Sequence, residues 1–450
     1  YSFLRGNDDV LLHIVTVGNR LALQCCKHDA PCITASELQQ LDLDTLVRDR
    51  IAFVMNATLP TELTPQQCRL ARKALSVMKV NTHSRSPAIP NRWSTPDRWP
   101  HQHMWLWDSA FHAVGMACVN TELAQEFLSA MLEKIQGDGF LPHTVFVDGS
   151  VSEVTQPPIL AWAVGRVFDQ CGDRAWLESC IPCLERYLNW NAVNRDRNGN
   201  GIPEWYIEGE PLCRCGESGQ DNSSAYDRAV LLDAPDFAAY MVNDYTCLAR
   251  LADSLGNSTL SSQCTAKANA LAKAVDNLLW CEEQQFYCHR DFDGYFVETK
   301  TVAGFMPLFA GIPQGDRAKA LIRHLTNPAS FEAPLPIPSE ALDSGTFCKD
   351  MWRGPTWVNA TYMALVGLRR YSEVPLADAL RSRLLDAIEH WYSEDGCIFE
   401  YYDCLNVTSP RRLDRKQRLI RGQGIAPISD YHWSAALTLT MLFEQANEER

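Results

Sequence analysis

The stretch CGESGQDNSSAYD, from Cys215 to Asp227, sets Asp221 among glycines, hydroxyls and amides. Turn formers at that density specify a loop too polar for a core. A carboxylate held there is either the cap of a turn or a group that moves a proton. Other loops carry an unusual mixture, tryptophan together with Asp, Gly and Pro: MWLWDSAFH (104–112), TQPPILAW (155–162), GNGIPEWYIEGE (199–210), DMWRGPTW (350–357) and FEYYD (399–403). A large ring left in solvent gains nothing. Rings beside carboxylates and amides suit a sugar, whose C–H faces stack while its hydroxyls take dense hydrogen bonding. Packing of helix ends explains any one of these tryptophans, but not their recurrence.

Other clusters carry weaker signals. His101, His103 and His112 lie close in sequence without the spacing of a metal motif, and His112 falls on a helix face as a packing residue. Cys180 and Cys183 form a C-x-x-C inside an apolar helical pattern, with no second pair at zinc spacing. DRNGNGIPEW brings Asp196, Asn198, Asn200 and Glu204 close to the oxygen-ligand run of a calcium loop, although Ile207 stands where the twelfth-position acid is expected. A structural calcium on those four residues is one expectation and a plain turn the other; the chemistry requires no cofactor. PRRLDRKQRLIRGQG (410–424) is a dense basic run in a chain of net charge −14.

From about residue 105 the pattern repeats as apolar helix, polar or aromatic loop, apolar helix. ELAQEFLSAMLEKIQG places Leu123, Phe127, Leu128, Met131, Leu132 and Ile135 at helical spacing. Nearly all-apolar helices alternate with amphipathic ones, as expected for an inner and an outer set. Strand-like alternation is confined to pieces such as GYFVET (294–299) and CIFEYY (397–402). The expected class is all-α, a closed ring of helical hairpins over 56–450, with residues 1–55 as an N-terminal extension or cap. The acidic balance argues against a nucleic-acid partner, and no apolar run reaches membrane-spanning length. Seventeen cysteines, an odd number, point to free thiols and a reducing, cytoplasmic setting. The first residues do not form a signal peptide, though the chain lacks an initial Met and a targeting segment could have been removed.

WLWDSAFH (105–112), TQPPILAWAV (155–164), GNGIPEW (199–205), ESGQDNS (217–223), WRGPTW (352–357), FEYYD (399–403) and HWSAALTL (432–439) stand in the order found in family 63 glycoside hydrolases. The chain resembles that family over about residues 100–445. Trehalases are similar in architecture and in the ESG-x-D loop. The resemblance implies an (α/α)6 barrel with the site at the mouth of the ring, and hydrolysis with inversion. It implies Asp221 as general acid and Glu400 as general base, rather than the nearby Glu394, Asp395 or Asp403. The acid must hold a proton near neutral pH, which burial and the negative neighbours Glu217 and Asp227 would favour. The resemblance further implies sugar contacts from Asp108, walls from Trp105 and Trp107, and lining by Gln156, Trp352, Arg353, Gly354 and Trp357. Arg353 either fixes a carboxylate by bidentate contact or forms a structural ion pair with Asp350.

A length of 450 residues leaves no room for the N-terminal β domain of the larger α-glucosidases. That points to the compact members, which hydrolyse α-mannosyl- or α-glucosylglycerate and place a mobile loop over the leaving-group site. The basic run occupies that place, making Arg411, Arg415, Gln417, Arg418 and Arg421 candidates for an anionic aglycone such as glycerate. A solvated basic surface is the other reading. An α-glucosidase for neutral oligosaccharides, a trehalase-like enzyme and a non-catalytic carbohydrate-binding protein are the alternatives. The last needs the aromatic loops but not both carboxylates.

Overall fold

The computed structural model describes residues 2–4, 10–27, 32–208, 210, 212–228 and 231–448. Contacts divide the chain into two units between Thr58 and Leu59. In the first unit, β1 (Ser2–Leu4), β2 (Val10–Val17) and β3 (Arg20–Lys27) form an antiparallel sheet in that order. Helix α1 (Ala35–Gln40) begins with a reciprocal Thr34–Glu37 capping box, and α2 (Leu43–Met55) is capped by Asp42.

The second unit is built of paired helices. Helices α3 (Pro65–Val80), α4 (Leu106–Ala117), α5 (Thr121–Leu132), α6 (Leu160–Cys171), α7 (Arg174–Asn194) and α8 (Pro235–Ser254) form its first half. Then come α9 (Ser258–Leu278), α10 (Met306–Ala310), α11 (Gly315–Leu325), α12 (Val358–Arg370) and α13 (Val374–Asp395). A short α14 (Arg418–Arg421) precedes α15 (His432–Glu448).

Helices α4, α6, α8, α10, α12 and α15 each touch the next in that order, and α15 touches α4, so the contacts close on themselves. These helices are buried on nearly every side. All residues of α4 are buried, as are Val358–Leu365 of α12 and His432–Leu442 of α15. A helix apolar all round has to lie inside. Helices α3, α5, α7, α9 and α13 pack against members of that set and bury a single stripe. Helix α9, for example, buries Leu260, Cys264, Ala268, Leu271 and Val275, which recur every three or four residues. Helices α5, α7 and α9 start at Asn120, Asp173 and Asn257, whose side chains accept a first-turn N–H. Where α4 crosses α15, a Cβ on Gly115 would stand 2.5 Å from that of Ala436, so the two backbones can meet only over glycine.

GYFVET and CIFEYY do not form the expected strands. Phe296, Phe399 and Tyr402 make isolated bridges to Arg290, Ser429 and Thr356. Phe296 finds one residue of its own loop, and Phe399 and Tyr402 one residue each of other loops, whereas a ladder needs a run of them. Cys180 and Cys183 are separate thiols on α7. No helix among the described residues is long and apolar enough to cross a membrane.

Candidate active site

The N-terminal ends of three inner helices meet at one cavity. Trp105, Trp107 and Asp108 come from the start of α4, Trp357 from the residue before α12, and Tyr431 and Trp433 from the start of α15. Interhelical loops add His101, His143, Gln156, Asp221, Trp352, Glu400 and Arg415. The aromatic wall is continuous: Trp352 stacks on Trp357 with centroids 4.0 Å apart, Trp107 tilts against Trp352, and Trp433 meets Trp107 edge-on at 5.1 Å.

The loop that carries Asp221 is held by its other polar residues. Glu217 is buried in an ion pair with Arg195 at 2.5 Å and accepts the Tyr206 N–H. Ser218 donates to the Cys215 carbonyl and Gln220 to Asp236. Asn222 ties the loop to the neighbouring one, accepting from Trp352 N and donating to Asp350 O. Gly219 has φ +72°, and a Cβ there would stand 2.3 Å from the Trp107 ring, so only glycine lets the loop lie against that wall. Asp221 is left facing the cavity.

Its partner is a cation. Lys416 Nζ lies 2.9 Å from Asp221 Oδ2. Burial works to raise the Asp221 carboxyl, but the Lys416 ammonium, aided by Arg415 and His143, holds it below the ordinary value. This reverses the expected influence of Glu217 and Asp227, because each is already paired with an arginine, Arg195 and Arg353.

Glu400 is placed by backbone pairing with Ile428, whose N–H also donates to its carboxylate at 3.1 Å. Arg415 Nε and Nη2 reach the two carboxylate oxygens at 3.0 and 3.3 Å. The adjacent acids are engaged elsewhere: Asp395 with Ser409 and Arg411, Asp403 with Lys349 and the Val407 and Thr408 N–H groups. Two consecutive residues, Arg415 and Lys416, therefore hold the two carboxylates. Behind Arg415, His101 approaches its guanidinium at 3.5 Å through Nε2 and meets Asp97 at 2.5 Å through Nδ1.

Asp108 is a third carboxyl in the cavity. Burial, with the charges of Asp97, Glu400 and Asp221 adding to it, lifts it well above the carboxylate range. Its Oδ1 is buried without a hydrogen-bond partner, as are the indole N–H groups of Trp105 and Trp433. Gln156 uses Oε1 to accept from Trp107 N at 3.2 Å.

Four expected lining residues lie elsewhere. Arg353 pairs with Asp227 at 2.5 Å and donates to Asn222 O, so it braces the Asp221 loop instead of entering the cavity or binding Asp350. Gly354, at φ +135°, packs against Cys348 O, where a Cβ would stand 2.1 Å away. Gln417 and Arg421 are exposed and outside the cavity lining. Of the other basic candidates, Arg411 binds Asp395 and Arg418 donates to Leu413 O. In the loop proposed for calcium, the Asn198 and Asn200 amides donate to Asp233, Glu204 Oε1 accepts two backbone N–H groups, and Asp196 Oδ2 accepts from Gly201 N. Among the described residues, no group of three or more His, Cys, Asp or Glu is placed to hold a metal ion.

Sequence reasoning missed His101, His143, Tyr431, Trp433 and Lys416. HWSAALTL was visible as a motif containing Trp433, and Asp97 precedes His101 by one helical turn. Lys416 stood unremarked among arginines because a guanidinium was the expected partner for a carboxylate.

The model of the mannosylglycerate hydrolase MGH1-like glycoside hydrolase domain matches residues 101–434. The chain belongs to this family. Mannosylglycerate hydrolase of Thermus thermophilus is 27% identical to this MGH1-like chain over 449 residues, 82% of this chain and 99% of that protein. Glucosylglycerate hydrolase of Mycolicibacterium hassiacum is 26% identical over 401 residues, covering 67% and 87%. The crystal structure of a GH63 mannosylglycerate hydrolase from Thermus thermophilus in complex with glucose matches with a TM-score of 0.68 at 27% identity, over 82% of this chain and 99% of that one. Neutral trehalase Nth1 of Saccharomyces cerevisiae shares the fold, with a TM-score of 0.59 at 15% identity over 87% and 82%. As an MGH1-like protein the chain is a glycoside hydrolase, and the carboxyls of Asp108, Asp221 and Glu400 line its cavity.

Proposed function

We propose that the chain is an inverting exo-α-glycosidase for a glycerate glycoside, α-glucosyl- or α-mannosylglycerate, with Asp221 as general acid and Glu400 as general base. We read the closed set of inner helices as an (α/α)6 barrel with the site at its N-terminal mouth. The observation that carries the reading is the composition of the cavity. Two carboxylates face it from loops far apart in sequence, over a wall of stacked rings, beside the unpartnered Asp108 Oδ1, Trp105 Nε1 and Trp433 Nε1. Buried polar atoms without partners are costly, and a sugar's hydroxyls are the ligand that would satisfy them.

Hydrolysis then proceeds in one displacement. Asp221 gives a proton to the glycosidic oxygen as its bond to the anomeric carbon breaks. Glu400 takes a proton from a water that attacks the same carbon from the opposite face. Both carboxyls then exchange protons with solvent. Asp108, whose carboxyl burial pushes up, presents its unpartnered Oδ1 to a sugar hydroxyl. Lys416, beside Asp221, supplies positive charge on the aglycone side, which accords with the relatives named for glycerate glycosides.

The test is a panel of mannosylglycerate, glucosylglycerate, trehalose and kojibiose. One glycerate glycoside should exceed both disaccharides in kcat/KM by on the order of 10²-fold or more. A preference for trehalose or kojibiose would replace the glycerate assignment by a disaccharidase.

A further inference from the structure

A general acid has to hold a proton when its substrate arrives, yet the carboxylate assigned that task sits against an ammonium at 2.9 Å. The segment that delivers the ammonium is anchored through its backbone. Asp350 accepts the N–H groups of Lys416 and Gln417 at 2.7 and 3.0 Å. Both residues take the left-handed conformation, φ +53° and +58°, a strained arrangement for side-chain-bearing residues that persists only where contacts impose it. The kink aims Arg415 at Glu400 and Lys416 at Asp221. Arg415 is buried, whereas the Lys416 side chain is 29% exposed and so has an open side to swing into. A point charge on a flexible stem can make that swing without moving the anchored backbone.

The oxygen that Asp221 must protonate belongs to the aglycone, so the aglycone lies beside Asp221 and within reach of Lys416. We propose that Lys416 is a substrate-operated gate on the proton donor: its ammonium neutralises Asp221 in the free enzyme, and the carboxylate of an acidic aglycone draws it away, leaving Asp221 to take up the proton it delivers. This rests on reading Asp221 as the general acid. The proton comes from solvent and passes to the glycosidic oxygen as the C–O bond breaks; the acidic product leaves, and Lys416 returns to the Asp221 carboxylate.

The other groups facing Asp221 fit this division. Arg415 from the same segment and His143 from the loop after α5 favour its charged form. His143 is itself driven down to about 4, chiefly by burial. Glu208 from the preceding loop stands against it as a like charge, while the Cys213 thiol, pushed up by burial, keeps the proton that it offers to the Asp221 carboxylate. Lys416 is the contacting cation, so its departure decides the balance. Specificity follows, because a neutral aglycone has nothing with which to displace the ammonium.

The test compares the preferred glycerate glycoside with its glycerol counterpart, which has CH₂OH in place of the carboxylate, in wild type, Lys416→Met and Lys416→Gln. Lys416→Met should lower kcat/KM about tenfold on the acidic glycoside and raise it about tenfold on the neutral one, the effect of about one pKa unit. Loss on both substrates, or no change on either, overturns the gate. A second measurement needs no turnover: D-glycerate added to wild type should raise the titration midpoint of the ¹³C-labelled Asp221 carboxyl, and should not do so in Lys416→Gln. An unchanged midpoint in wild type overturns the gate as well. Should Asp221→Asn retain full turnover, the assignment of the acid fails first. Should that variant be inactive while Lys416→Met moves both substrates together, only the gate fails.

Discussion

Asp221→Asn should lower kcat on the proposed glycerate glycoside by about 10²–10⁴-fold, the usual contribution of one general acid or base, and should leave the protein folded. The amide keeps the size of the carboxyl but has no proton to give to a departing alkoxide. The loop does not depend on the lost charge, because Glu217, Ser218, Gln220 and Asn222 hold it, and Lys416 retains access to water. A substrate that leaves without help distinguishes this role from others. On the corresponding α-glycosyl fluoride the loss should shrink to within about tenfold, because fluoride departs without full protonation. Asp108→Asn provides the comparison. If fluoride restores that variant and not Asp221→Asn, the proton comes from Asp108, the carboxyl that burial pushes up.

Glu400→Gln should produce a loss of the same order, about 10²–10⁴-fold, with the opposite dependence on leaving group. Water must still be activated however readily the aglycone departs, so the deficit persists on the fluoride. The variant also leaves Arg415, buried and paired with Glu400, without a counter-ion. Some loss of thermal stability is therefore expected here and not in Asp221→Asn, since an uncompensated buried charge is costly. Wild-type turnover of the fluoride by Glu400→Gln would remove Glu400 from the mechanism.

The helices were legible because burial leaves a period in the sequence: α9 shows a single stripe, and α4 is apolar on all sides. The aromatic wall was legible because tryptophan in a polar loop is conspicuous. Charge pairing was far less so, since it depends on which loops meet in space. Arg353 is three residues from Asp350, which suggested a local pair. Asp350 instead accepts two backbone N–H groups of the basic segment, and Arg353 reaches Asp227. Lys416 meets Asp221 from a distant loop, and only a kink at two left-handed residues separates its direction from that of Arg415. That kink has no glycine to announce it. The short bridges at Phe399 and Tyr402 escaped for a related reason: their partners are single residues of other loops.

The central claim is a single displacement across the cavity by Asp221 and Glu400, and the anomer first released tests it most directly. Proton NMR of the sugar formed from the preferred α-glycerate glycoside, recorded before mutarotation, should show the β-anomer appearing first. Initial release of the α-anomer would mean two displacements through a covalent glycosyl-enzyme, and would contradict the assignment of Glu400 as a base acting on water.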